Sequence, residues 1–422
     1  MRKLTFFIVC IACLQCLPMQ SATPFITVKD GRFYNGDKEY RYVGANFWYG
    51  AILASEGRGG NRQRLRQELD LMQKVGIDNI RVLIGGDGRE GIPSHIEPVL
   101  QTAPGVYNDT ILLGLDYLMA ELEKRNMKAV LYFNNAWEWS GGYGTYLEWA
   151  KGDGRCPIPS VDGWPAYMDY VSEFVLNDKA IELSSNHIRN IVTRRNTITG
   201  KLYKDTPALM AWEIANEPRC FGEDSLHKAR LVEFIDKQSR LIKSLDANHL
   251  VTTGSEGKHG CEQDIELFTK VHTLPCVDYA CVHIWPYNWS WIRDKKDSIN
   301  ALTLKYIEEA YQRMNPAGRP VVLEEFGYPR DSMLFAAGTP TTERDRYFSY
   351  VFSIIRDSGK IAGCNFWGWG GKAKVKNVVW QRWDDYVGDP AQEEQGLNSI
   401  FAADKSTLKI IKQFSKDLRK QK

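Results

Sequence analysis

The sequence predicts an α/β protein built as a single (β/α)8 barrel, the TIM-barrel architecture, with long loops after its strands. Three observations predict it. After residue 24, short apolar runs alternate with longer amphipathic stretches, the rhythm of strands joined by crossover helices. The runs number eight. Polar and aromatic residues stand where the runs end, on the side where barrels of this kind build their sites.

The candidate strands are 40–46, 77–84, 128–134, 208–216, 249–254, 279–284, 320–325 and 361–367. Helical patterns lie between them at 62–74, 111–125, 166–193, 225–244, 299–313 and 342–357, with a last one at 405–418; the fifth connection, 262–273, is weak as a helix. Strands bounded by crossover helices must be parallel, and eight such units over roughly 380 residues suit a closed barrel better than an open doubly wound sheet. The longest loops, 85–109, 136–164 and 368–399, each follow the C-terminal end of a strand. Residues 25–37 read as a small hairpin closing the barrel bottom through the turn Asn35-Gly36-Asp37.

One domain over 23–422 is expected, after a secretion signal over 1–22. Arg2 and Lys3 give that segment a basic start, residues 4–17 an apolar core, and Ser21 and Ala22 a small-residue end. Cleavage is expected near residues 20–24, with lipidation of Cys10, Cys13 or Cys16 as the alternative. The apolar run is short for a membrane span and no later stretch is longer, so the mature chain is expected to be extracellular or periplasmic.

Of the 422 residues, 43% are hydrophobic and 25% charged, which excludes a disordered chain. Lys plus Arg (54) nearly balance Asp plus Glu (52), which gives no electrostatic reason for nucleic acid or an anionic membrane as partner. An uncharged substrate and a monomer follow as expectations. Six cysteines remain beyond the signal, an even number where disulfides persist, and a bridge between the loops of Cys220 and Cys261 is one hypothesis. Clustered Cys/His ligands, phosphate loops, His-Glu-x-x-His and Gly-x-Ser-x-Gly are missing from the sequence, so neither a metal nor a cofactor is implied.

The strand ends carry Asn46 and Trp48, Arg81, Asn134 and Asn135, Asn216 and Glu217, Glu256, His283 and Trp285, Glu325, and Trp367. In a barrel they converge on one cleft. Glycoside hydrolysis needs two carboxyl groups flanking the scissile bond. Glu217 ends the fourth run, after Ala-Leu-Met-Ala-Trp, and Glu325 ends the seventh, after Val-Val-Leu. A lone strand-end Glu would usually be an ion-pair partner; a pair at these two ends points to chemistry. Strand alternation predicts that Glu324 faces the helices and Glu325 the interior.

Several motifs resemble glycoside hydrolase family 5, and within it the β-mannanase subfamily, over essentially the whole mature chain. They are Trp-Glu-Ile-Ala-Asn-Glu-Pro-Arg-Cys (212–220), Gly-Gly-Tyr-Gly-Thr-Tyr-Leu-Glu-Trp (141–149), Gly-Ser-Glu-Gly (254–257), His-Ile-Trp-Pro-Tyr-Asn-Trp (283–289) and Leu-Glu-Glu-Phe-Gly (323–327).

The resemblance implies Glu217 as acid/base and Glu325 as nucleophile of a retaining enzyme. It implies Asn216 on the sugar 2-hydroxyl, Arg81 paired with the nucleophile, His283 beside the acid/base, and Arg219 on leaving-group sugar. For Arg81 the alternative is a helix–sheet salt bridge, and for His283 a satisfied core histidine. Position 285 departs from the usual tyrosine that hydrogen-bonds the nucleophile: Trp285 donates only through its indole nitrogen or offers a stacking surface. Trp367 matches the aromatic floor under the attacked sugar. Among the 13 tryptophans, Trp48, Trp137, Trp139, Trp289 and Trp380 are further candidates for stacking on pyranose faces, about half of them expected to be packing residues.

The implied activity is endo cleavage of mannan, glucomannan or galactomannan. An exo-acting β-mannosidase is the alternative, because loop 368–399, with Gln392-Glu393-Glu394-Gln395-Gly396, is long enough to wall off one end of the cleft. A cellulase-like or xylan-active enzyme and a non-catalytic carbohydrate-binding barrel stand further off.

Overall fold

The computed structural model describes residues 24–152 and 155–420. The expected signal segment lies outside the described residues. Eight parallel strands form one sheet: β1 (Tyr42–Asn46), β2 (Asn79–Leu83), β3 (Lys128–Tyr132), β4 (Leu209–Glu213), β5 (Leu250–Thr252), β6 (Ala280–Ile284), β7 (Val321–Phe326) and β8 (Gly363–Phe366). Their order runs β5-β4-β3-β2-β1-β8-β7-β6. The seam between β5 and β6 is closed by single hydrogen bonds: Asp278 N to Val251 O at 2.8 Å, Thr252 Oγ1 to Tyr279 O at 3.0 Å and His283 N to Glu256 O at 3.1 Å. The expected barrel is the fold observed.

Side chains fill the interior in two chemically different layers. The lower one is apolar, with Val130, Met210, Leu250, Tyr279 and Val322 packed together. An antiparallel meander of Ile26–Lys29, Arg32–Asn35 and Lys38–Glu39 covers it, pushing Ile26 and Phe33 into the barrel floor. This cover has one strand more than the expected hairpin. The upper layer holds Arg81, Glu213, Glu324 and His283, all buried. Charges taken out of water must be paired, so this layer constrains which residues can sit at the rim above it.

Side-chain caps set where the crossover helices begin. Asn61 accepts from Arg64 N at 2.9 Å before Arg62–Lys74, and Asp224 accepts from Leu226 N and His227 N before Ser225–Leu245. Each such cap contributes about 1 kcal/mol. Caps also explain two departures from expectation. The pattern at 166–193 predicts one helix, but Asn177 caps a new one by accepting from Ala180 N at 3.0 Å, so the stretch divides into Trp164–Ser172 and Asp178–Val192. The weak fifth connection forms helix Ile265–His272, started by Asp264 accepting from Glu266 N and Leu267 N.

The described cysteines are all free. Cys220 Sγ turns to Gly222 O at 3.2 Å and Cys261 Sγ lies 4.0 Å from Ser255 Oγ, so the suggested bridge is not formed. Among the described residues no helix is long and apolar enough to cross a membrane.

Candidate active site

The upper barrel layer is organised by Arg81. Its guanidinium donates twice to Glu213, through Nε at 2.9 Å and Nη2 at 2.5 Å, and reaches Asn46 Oδ1 at 3.1 Å and Asn216 Oδ1 at 2.8 Å. Its Nη1 also donates to Glu325 Oε1. A planar fork with five donors suits this work, and the carboxylate of Glu213 offsets a cation that is otherwise costly to bury. Glu213 escaped the sequence reading because it sits within an apolar strand run; the signal that could have found it is the need of a buried Arg81 for a counter-charge.

Glu324 does not face the helices as alternation predicts. It is buried inside the barrel, 3.8 Å from Arg81 Nε and 3.7 Å from His283 Nε2. The reason is a register shift: Val282 pairs with Leu323 and the next residue, His283, with Glu325, which leaves Glu324 as an extra residue on β7. A bulge of this kind breaks the two-residue alternation, so both neighbours turn inward at different heights. Burial, then the nearby Glu213, push the Glu324 carboxyl up, which favours its protonated form.

Glu217 and Glu325 meet above this layer. With His283 they form a set in which one ligand-type atom of each residue lies within 4.8 Å of the others. Glu217 follows β4 and is fixed by its backbone N–H on Gly254 O at 2.9 Å, with φ at +50°, a conformation rare for a residue with a side chain. Its Oε2 accepts from Trp137 Nε1 at 2.5 Å, and its Oε1 lies 2.7 Å from His283 Nδ1. Glu325 Oε2 accepts from Trp285 Nε1 at 3.1 Å. The indole nitrogen of Trp285 therefore makes the contact that the sequence left open.

Burial raises both carboxyls, and the neighbouring Glu217 raises Glu325 further while Arg81 opposes it. Two carboxyls this close do not both ionise at neutral pH. Arg81 and Trp285 donate to Glu325, so the pair's charge belongs there and its proton on Glu217. Burial pushes His283 down to about 4, leaving it neutral beside Glu217. Among the described residues Glu217, His283 and Glu325 are also the one group spaced to hold a metal ion, but Arg81 and Trp137 already occupy an oxygen of each carboxyl.

A cleft of about 440 Å³ opens over the pair. Of the residues singled out from sequence, Asn216, Glu217, Arg219, Trp285, Glu325 and Trp367 line it, as do Trp137, Trp139 and Trp289. Arg219 donates to Glu256 Oε2 at 2.6 Å and lies 5.3 Å from the Trp137 ring. Trp285 and Trp367 meet edge to face at 5.9 Å. Arg81 and His283 act from beneath, without lining the cleft.

Trp48 departs from its expected place on substrate. It is buried behind the cleft, packed on Trp139 and Tyr386, with its indole N–H on Gly388 O at 2.9 Å. Its strand end looks like the others, but the loop after β8 folds over it. Trp380 likewise stacks on Tyr386 at 5.0 Å. The same loop brings Gln392, Glu393, Glu394 and Asn398 to the cleft wall, where Glu393 Oε2 and Asn398 Oδ1 are buried without hydrogen-bond partners.

The model of the glycoside hydrolase family 5 β-mannosidase-like family matches residues 23–422. Mannan endo-1,4-β-mannosidase 7 of Arabidopsis thaliana is 32% identical over 93% of this chain and 85% of its own. The crystal structure of a family 5 mannosidase from Rhizomucor miehei superposes with a TM-score of 0.86 at 30% identity, covering 95% of this chain and 99% of that one. An endo-β-1,4-mannanase from Thermotoga petrophila, at 22% identity, covers 92% of this chain and 78% of its own with a TM-score of 0.69, a likeness of fold. With a family model spanning the whole described barrel, this chain belongs to the β-mannosidase-like branch of glycoside hydrolase family 5.

Proposed function

We propose that this protein is a retaining endo-β-1,4-mannanase, cutting mannan, glucomannan or galactomannan by double displacement. One observation carries the retaining mechanism: one carboxyl oxygen of Glu217 and one of Glu325 lie within 4.8 Å of each other at the ends of two strands. Retaining glycosidases hold their pair about 5 Å apart, too close for a water to attack between them.

In the first step Glu325 attacks C1 of the bound mannose as the C1–O bond breaks, and Glu217 gives its proton to the departing oxygen. In the second, Glu217 takes a proton from water, whose oxygen replaces Glu325 at C1. Arg81 and Trp285 hold the Glu325 oxygens for in-line attack, and neutral His283 and Trp137 hold Glu217. Asn216 spends one amide hydrogen on Asn135 Oδ1 at 3.0 Å and keeps a second for the sugar 2-hydroxyl. Trp367 gives the apolar face of the attacked ring a flat surface, and Arg219 meets the departing chain. We further propose release of the chain after removal of residues 1–22, and a monomeric enzyme.

The loop after β8 supports a second reading, exo-acting β-mannosidase. Gln392, Glu393 and Glu394 stand at the wall, where they could end the cleft after one sugar. Products formed early from linear mannan and mannohexaose decide between the two. Mannobiose and longer fragments support endo action; mannose alone overturns it in favour of exo action; failure on mannan with turnover of cellulose or xylan overturns both.

A further inference from the structure

Helix Trp164–Ser172 stands within the loop that follows β3, and it has two working faces. Tyr167 and Val171, four residues apart, are buried, and Tyr167 Oη donates to Ala136 O at 2.6 Å, next to Trp137. Trp164 and Met168 are also four apart and share another face. They stay 43% and 38% exposed, yet both line the cleft with Glu217 and Arg219. Single exposed apolar side chains are ordinary; two on one helix face, opening onto a catalytic cleft, form a surface.

We propose that Trp164 and Met168 are a platform for the second sugar of the departing chain, a subsite for a β-linked hexopyranose. This rests on Glu217 being the acid, which makes its side of the cleft the leaving-group side. From Glu217 the path runs to Trp137, which donates to it, and then to Trp164, whose ring meets Trp137 edge to face at 5.7 Å. Trp137 flanks the first departing sugar, and Trp164 lies one ring further out. An indole and a thioether offer the apolar, polarizable surface on which the C–H face of a pyranose packs. The anchoring of Tyr167 holds the platform still, so little ordering is needed when sugar binds.

The test compares kcat/KM for β-1,4-mannotetraose with that for 4-nitrophenyl β-mannoside, whose leaving group ends at the first position. Trp164→Ala lowers the ratio about tenfold, equivalent to about 1.4 kcal/mol, with the loss in KM, and Trp164→Tyr restores most of it. Equal losses on both substrates, or an unchanged ratio with an unchanged melting temperature, overturn the platform. Wild-type protein that turns over neither substrate overturns the mannan-hydrolase reading itself, and the platform with it.

Discussion

Trp285→Phe tests whether the indole N–H holds the charge on Glu325. The substitution keeps an aromatic ring at the position but removes the donor that lies 3.1 Å from Glu325 Oε2. That oxygen has one other polar neighbour at close range, His283 Nδ1 at 3.4 Å, and this nitrogen is engaged with Glu217 at 2.7 Å. Among the described residues no other donor hydrogen-bonds this oxygen. A hydrogen bond to a charged group contributes about 1.5–3 kcal/mol, and 1.36 kcal/mol corresponds to one pH unit. Because the lost bond favours the ionised form, the pKa of the pair's first ionisation rises. The acid limb of kcat/KM, which reports the free enzyme, moves up by about one to two pH units. The alkaline limb stays, since Glu325 is charged both before and after Glu217 loses its proton. Initial rates on mannotetraose across pH measure this. An acid limb that does not move, with activity lowered equally at every pH, would refute the argument.

Glu325→Ala abolishes hydrolysis while oligosaccharide binding persists, measured by calorimetry, because Arg81 keeps its two bonds to Glu213 and the barrel top stays paired. Glu217→Gln loses mannan hydrolysis but keeps measurable turnover of a dinitrophenyl β-mannoside, whose leaving group needs no proton, and its rate no longer falls at alkaline pH. Arg330→Met breaks bonds to Thr339 O, Gly396 O and Ser399 O and leaves the buried Asp404 carboxylate with Phe401 N–H at 2.8 Å and Arg344 at 3.9 Å, costing about 3 kcal/mol in denaturant titrations. Burial pushes the Asp87 carboxyl up to about 8, so the folded state binds more protons than the unfolded one between about pH 4 and that value. Stability therefore falls as pH rises through this window, and Asp87→Asn removes the fall. Melting temperatures of variant and wild type should diverge from pH 5 to 8 in favour of the variant; parallel curves would count against it.

The barrel could be read from sequence because each strand is a short apolar run ended by a polar residue, and because a closed sheet brings such ends together. Glu217 and Glu325 stood out for the same reason: a carboxylate after Ala-Leu-Met-Ala-Trp or Val-Val-Leu needs a purpose. What escaped was information held between strands. The bulge that turns Glu324 inward depends on β6 as well as β7, so one strand's pattern misplaced it. Glu213 looks like part of an apolar run until Arg81 is placed beside it. Trp48 occupies a strand end, but a loop more than 300 residues later in the chain covers it with Gly388. Trp164 ends the expected loop 136–164, and only the structure extends the following helix back to it and, with the break at Asn177, sets Trp164–Ser172 apart as an element of the cleft.

The stereochemistry of the first product tests the central claim most directly. Proton NMR of mannohexaose during the first minutes of hydrolysis distinguishes the anomers before they interconvert. The Glu217–Glu325 spacing predicts that the β-anomer appears first and that the α-anomer grows only by mutarotation. An α-anomer formed first would mean direct attack by water, and would contradict Glu325 as nucleophile.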